Sequence, residues 1–247
     1  MRHLPWAGCC NVRDLGGLPT EDGRTTRPRV VVRADDISAL DARGWDALAT
    51  YGVRTAIDLR FVEEGALDPP HADRISVVRV SLFGRIDRGA GKRIDRLASS
   101  SPDPAQALEA LYVDALEVHA GRIARAVDEL ARALSDGAVV VHCAIGKDRT
   151  GIVAALLLRL AGVSPDDVAD DYALSHERVE QLVGEWIAAG RDEEQRAARA
   201  RLCAAPRDGM VGTLAVLEER YGGARRYLRD AGVAAPRLDE LRGRLVG

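Results

Sequence analysis

The apolar pattern of this chain changes period once, near Gly162. Before that glycine, short β-branched runs alternate with stretches whose apolar positions recur every three or four residues; after it only the helical spacing remains. Strands are expected over 29–35 (RVVVRAD), 53–59 (VRTAIDL), 75–82 (ISVVRVSL) and 138–143 (AVVVHC). Helical spacing covers 38–51, where Gly52 supplies a C-cap, and 104–134, which is long enough for two helices before the Asp136-Gly137 turn. Ser164-Pro165-Asp166-Asp167 reads as a helix start: a capping hydroxyl, proline at the first helical position, then acids at the positive end of the dipole. Further helices are expected over 177–203, 208–221 and 236–245. The segment 11–27 reads as loop, and 84–103 as a mobile or partly helical connection.

The strand at 138–143 is apolar without alternation and runs straight towards a helix. A central strand of a parallel sheet reads this way, because helices cover both its faces. The pattern predicts an α/β fold: a central, largely parallel sheet flanked by helices, in a single domain over 1–247. A helical C-terminal elaboration is expected over 164–205.

Composition changes this picture little. Hydrophobic residues make up 47% and charged residues 30%, enough for an ordinary globular core. A formal net charge of -3 offers no argument for nucleic acid or an anionic membrane. No stretch reaches the ~18 apolar residues of a membrane span. The start, MRHLPWAGCC, holds no run suited to a signal peptide. A cytoplasmic protein without an integral membrane segment is expected, although export without a signal peptide stays compatible with the sequence. Of the four cysteines, Cys9 and Cys10 are adjacent, a spacing that disulfide geometry disfavours and that suits a reducing compartment. His3, His119 and His176 show no metal-ligand spacing with the cysteines, so neither metal nor cofactor is expected. Oligomeric state is not legible. Lys92 and Lys147 are the only lysines, which sets Lys147 apart from the arginine-rich background.

Lys147 lies in the stretch HCAIGKDRTG, residues 142–151. Where a parallel strand passes into a helix, the first-turn N–H groups lack partners and carry the positive dipole end, so the connection is a ready anion site. Ala144, Ile145, Gly146 and Lys147 would wrap that site, with Gly146 permitting a tight backbone and Arg149 offering a planar two-point fork for phosphate. Cys143 opens the loop. Helix N-termini and nearby cations lower a cysteine pKa from about 8.5 into the range of roughly 3.5–7.5, and the thiolate is the nucleophile. Attack on phosphorus would form a phosphocysteine for water to open, the developing charge being met by Arg149 and the loop amides. Asp148 is the first candidate for the acid that protonates the leaving oxygen, and Asp58, at the end of its strand, is the second. A nucleotide P-loop does not fit, because Val141 stands where its first glycine belongs and Asp148 fills the Ser/Thr slot.

HCAIGKDRTG resembles the Cys-x5-Arg signature of cysteine-dependent phosphatases, and more narrowly that of the bacterial group containing the mycobacterial B-type tyrosine phosphatases and lipid-active members of dual or triple specificity. NVRDLGG (11–17), IDLRFVEE (57–64), ADDYALS (169–175) and YGGARRYLRDAGV (221–233) resemble further segments of that group in the same order. The resemblance implies Cys143 as nucleophile, Arg149 as phosphate clamp and Asp148 as acid. It also implies that Lys147 adds charge for a multiply charged substrate, that His142 tunes the sulfur and that Thr150 hydrogen-bonds it. The helices after 162 would correspond to a lid. Asp58 and Arg60 either share in catalysis and substrate binding or brace the loop as a salt bridge. Val12 and Phe61 depart from the group's aromatic and serine at those places.

These residues point to a metal-independent phosphoric monoester hydrolase acting on phosphotyrosine protein or phosphoinositide. The same chemistry on a nucleoside or sugar phosphate is the alternative. A non-catalytic phosphate-binding module ranks last, because every loop group is present. Cys9 and Cys10 are candidates to protect Cys143 by disulfide exchange.

Overall fold

The computed structural model describes residues 2–64, 75–85 and 100–247, with residues 89, 92, 93, 96 and 97 between the last two segments. Five strands form one mixed sheet: β1 Arg13–Asp14, β2 Val31–Ala34, β3 Val53–Asp58, β4 Ser76–Arg79 and β5 Ala138–His142. Their order is β1-β2-β5-β3-β4, with β1 antiparallel and the other neighbours parallel. The all-buried AVVVH run is thus the central strand, as its unbroken hydrophobicity predicts.

Ten α-helices surround the sheet among the described residues: α1 Ala42–Tyr51, α2 Pro104–Val118, α3 Ala120–Ala133, α4 Asp148–Ala161, α5 Pro165–Ala173, α6 Ser175–Ala188, α7 Glu193–Cys203, α8 Arg207–Tyr221, α9 Ala224–Asp230 and α10 Ala235–Leu245. Successive strand residues point to opposite faces, and each face builds its own core. Val139 and Val141 join Val31, Ile57 and the apolar sides of α3 and α4. Ala138 and Val140 join Val32, Ala34, Trp6, Trp45 and Leu48 beneath α1. A third, small cluster of Val179, Val183 and Cys203 ties α6 and α7 to each other and to Ile145.

The boundaries shift where side chains outbid periodicity. α1 starts at Ala42 because Asp41 caps it, accepting from the Gly44 N–H; residues 37–39 form a 3₁₀ turn capped by Asp36. Gly52 closes α1 in the left-handed conformation. The helix expected over 177–203 is two helices, since Gly190 interrupts it and Asp192 caps a new start by accepting from Gln195 N–H. The segment 75–82 keeps ladder pairing only at 76–79, and 11–27 holds the short β1 within its loops. Of the connection expected over 84–103, residues 86–88, 90, 91, 94, 95, 98 and 99 lie outside the described residues, and residues 89, 92, 93, 96 and 97 are helical. No described helix is long and apolar enough to cross a membrane.

Candidate active site

In-register pairing brings Ala34, Asp58 and His142 side by side at the carboxyl edge of β2, β3 and β5. The chain then loops from Cys143 to Lys147 before α4 begins at Asp148. Three successive carbonyls of this loop are tied outward. The Asp36 N–H donates to Ala144 O at 3.2 Å, Asn11 Nδ2 to Ile145 O at 3.0 Å, and an Arg33 guanidinium N–H to Gly146 O at 2.8 Å. No backbone N–H from 144 to 149 has a partner among the described residues. With its carbonyls pinned behind it, the loop offers its amides to an anion, reinforced by the positive end of α4. Gly146 is required twice over: its φ is 68°, and a Cβ there would lie 2.6 Å from Ala34 O.

The donors behind the loop are themselves fixed. Arg13 and Arg33 face each other across the β1–β2 ladder, two like charges inside the protein. Asp171 of α5 joins them, at 3.1 Å to Arg13 Nε and 2.8 Å to Arg33 Nη1, and Arg2 adds a third cation. Burial works to raise the Asp171 carboxyl, but the arginines outweigh it and hold the group well below the usual carboxylate range. Arg13 also donates to Asn11 Oδ1, which orients the amide that holds Ile145. Asp171 therefore lies beneath the loop.

Cys143 sits at the loop floor, 1% exposed, beside Val141 and Ile152 of the main core. Arg149, in the first turn of α4, lies near enough for the two groups to interact electrostatically. Burial opposes the Arg149 charge, yet the Cys143 sulfur and Glu64 outweigh burial and raise its pKa. Glu64 accepts from two guanidinium nitrogens, at 2.5 and 3.4 Å, and the guanidinium carbon stacks 4.8 Å from the Phe61 ring centre. Two of the five guanidinium N–H donors are thereby committed. Glu64 was within the IDLRFVEE match, but nothing in the sequence assigned it to the arginine: the pair is 85 residues apart.

Asp148 is 27% exposed; its Oδ1 accepts from the Tyr112 hydroxyl at 2.8 Å and pairs with Lys147 Nζ at 2.8 Å. Lys147 itself corrects an expectation. Its ammonium is buried and donates to the carbonyls of Leu202 at 2.8 Å and Ala204 at 3.0 Å, so in this state it fastens the end of α7 rather than facing the loop. Burial would lower its pKa, but Asp148 outweighs this and raises it.

Asp58 and Arg60 form a brace. Asp58 accepts from Arg60 N–H, Nε and Nη2 at 2.8–3.0 Å, and Arg60 reaches on to both oxygens of Asp36 at 2.9 Å. Burial would raise the Asp58 carboxyl, but Arg60 and His142 hold it below its ordinary value. A buried carboxylate so held is ill suited to carry a proton to substrate, and Arg60 has its fork already filled. His142 points into this brace, 3.8 Å from Asp58; burial pushes it down to about 4, so it stands neutral at pH 7. The Thr150 hydroxyl is buried and has no hydrogen-bond partner among the described residues, the Cys143 sulfur included. Cys9 lies behind the loop, its thiol donating to the Asp36 carbonyl at 3.4 Å. Burial, then Asp35 and Asp36, raise its pKa far up, so it remains a thiol and a poor partner for disulfide exchange.

A crevice of about 40 Å³ is walled by Phe61, Phe83, Leu111 and His119 together with the polar Arg93 and Asp114, and Phe61 links it to Arg149, which stacks on that ring. Phe61 and Phe83 lie 6.2 Å apart between ring centres, and Phe83 and His119 lie 5.1 Å apart. Sequence scarcity of aromatics, 4% overall, hid their convergence here.

Comparison with known proteins adds independent findings. The model of a tyrosine phosphatase family matches residues 4–247. A tyrosine-protein phosphatase of Nostoc commune is 35% identical over 228 residues, covering 87% of this chain and 73% of the relative. The triple-specificity protein phosphatase PtpB of Mycobacterium tuberculosis is 28% identical over 291 aligned positions, covering 100% of this chain and 99% of the relative.

Proposed function

The chain belongs to the tyrosine phosphatase family, and on that premise we propose that it hydrolyses phosphate monoesters through a phosphocysteine at Cys143, with phosphotyrosine as its favoured class of substrate. Members of this family are phosphoric monoester hydrolases. The observation that carries the mechanism is the loop itself: three carbonyls drawn outward, free amides between them, a sulfur at its start and a guanidinium at its end.

In the first step the Cys143 sulfur forms a bond to phosphorus as the ester P–O bond breaks. Asp148 gives its proton to the departing oxygen, and Arg149 with the loop amides meets the charge on the equatorial oxygens. In the second step water adds its oxygen to phosphorus, Asp148 takes the water's proton, and the sulfur leaves with the S–P electron pair. Nucleophile, acid and countercharge all come from the chain's own side chains, so chelators are expected to leave turnover unchanged.

The aromatic crevice supports an aryl ester. Phe61 stands beside the arginine that would hold the phosphate, and a phenyl ring attached to that phosphate meets Phe83 next. Lys147, the residue suited to the extra charge of an inositide, is committed to Leu202 and Ala204 here. We further assign α6–α7, within the single domain 1–247, as the lid. They rest on Ile145 of the signature loop. α5, in contrast, packs Val168, Ala169 and Tyr172 into the main core.

The test is a substrate panel read beside a dead variant. Cys143→Ser should bind phosphate but turn nothing over. The wild type should prefer phosphotyrosine peptides to inositides and to sugar or nucleoside phosphates at equal concentration. A preference for the metabolites would reverse the substrate assignment, and turnover by Cys143→Ser would refute the mechanism.

A further inference from the structure

Tyr112 lies 31 residues before the signature loop, on α2, and has no part in the mechanism above. It is 1% exposed, yet its hydroxyl reaches Asp148 Oδ1 at 2.8 Å. A second hydroxyl stands behind it: Tyr172 of α5, at 2.9 Å, with the two rings edge-to-face at 5.8 Å. Because the Tyr112 proton is given to Asp148, the Tyr112 oxygen is the acceptor for Tyr172. This direction follows from an ionised Asp148, whose carboxylate can only accept; burial, and then the Asp148 charge, push the Tyr112 hydroxyl well above its ordinary value and keep it protonated. Lys147 Nζ approaches the same Asp148 oxygen at 2.8 Å. Asp148 Oδ2 has no partner among the described residues.

Two donors converging on one carboxyl oxygen decide where an added proton can go. Oδ1 already accepts, so the acidic proton resides on Oδ2. We propose that Tyr112 is a positioning residue for the general acid: its hydroxyl, braced by Tyr172, holds Asp148 in the one orientation that places a transferable proton on Oδ2. The proposal rests on the role of Asp148 given above. In the protonation step the Oδ2–H bond breaks as the leaving oxygen gains the proton, and the electron pair stays on Oδ2; Tyr112 keeps its own proton throughout.

Tyr112→Phe removes the hydroxyl and keeps the ring against Tyr172. Two substrates separate positioning from packing: phenyl phosphate, whose leaving group needs a proton, and 4-nitrophenyl phosphate, whose leaving group departs as an anion. Tyr112→Phe should lower kcat/KM, which reports only the step that expels the leaving group, about 10-fold for phenyl phosphate, a part of the roughly 10²–10⁴-fold worth of a general acid, and change kcat/KM for 4-nitrophenyl phosphate less than about twofold. In an Asp148→Asn background the same change should cost nothing more. Equal losses on both substrates, or an undiminished loss in the Asp148→Asn background, would reduce Tyr112 to a packing residue and overturn the proposal. Should Asp148→Asn itself show no leaving-group dependence, the fault would lie instead with the assignment of the acid.

Discussion

At the scale of single residues, the candidate site divides into groups that face the bowl and groups that hold it. Asp148 and Asp58 show why side-chain type alone could not separate them. Both are aspartates near the sheet edge, but Asp58 accepts three Arg60 hydrogen bonds in a buried brace, while Asp148 is part exposed with one oxygen unpartnered among the described residues. Asp58→Asn should therefore lower stability in urea unfolding while leaving the ratio of kcat/KM for phenyl and 4-nitrophenyl phosphate unchanged; a changed ratio would return the acid to Asp58. His142 carries a pH dependence. Its folded value is about 4 against an ordinary 6.5, so between those values the unfolded chain binds the proton that the folded chain refuses. Stability is then fully present above about pH 6.5 and falls as pH drops towards 4, by up to roughly 3 kcal/mol. His142→Gln should flatten that part of a stability-against-pH curve, and an unaltered slope would contradict the neutral, buried assignment. Phe61→Ala should raise KM for an aryl phosphate about fivefold, from the loss of about 1 kcal/mol of aromatic contact, with little change for an alkyl phosphate.

At the scale of elements, the loop owes its shape to β2 and α5 more than to its own sequence. Asp171 sits between Arg13 and Arg33, whose far ends fix Asn11 and the Gly146 carbonyl. Removing one member of such a buried charge cluster leaves the others unpaired, so Asp171→Asn should cost about 3–5 kcal/mol by denaturant unfolding. A cost within experimental error would mean that the cluster is not what holds the loop. The α6–α7 pair is attached differently, by a cluster of three buried residues, the Lys147 contacts and a few polar ties such as Arg178 to the Cys10 carbonyl. Few apolar contacts imply a low local opening free energy. Amide exchange across 175–203 should run at least about 100-fold faster than across 148–161, and matched protection would argue against a lid.

Across the whole molecule, the sequence disclosed whatever depends on neighbours along the chain. The AVVVH run identified the central strand because its burial on both faces leaves no alternation, and HCAIGKDRTG identified the loop because strand, thiol and arginine are contiguous. What it withheld depends on closure across distance. The Glu64–Arg149 pair, the Tyr112–Asp148 contact and the capture of Lys147 by the carbonyls of 202 and 204 each join segments that only the sheet order and helix packing bring together. The break at 190–192 was missed for a smaller reason, that helical spacing persists on both sides of Gly190. The two cores flanking β5 make the sheet edge rigid, and the loop inherits that rigidity. Trapping the covalent intermediate addresses the central claim most directly: acid quench during steady turnover of 4-nitrophenyl phosphate, followed by peptide mass mapping. A phosphoryl group on Cys143 in the wild type, absent from Cys143→Ser, is the predicted result. Continued turnover with Cys143 unmodified, or a phosphoryl group on another residue, would contradict it.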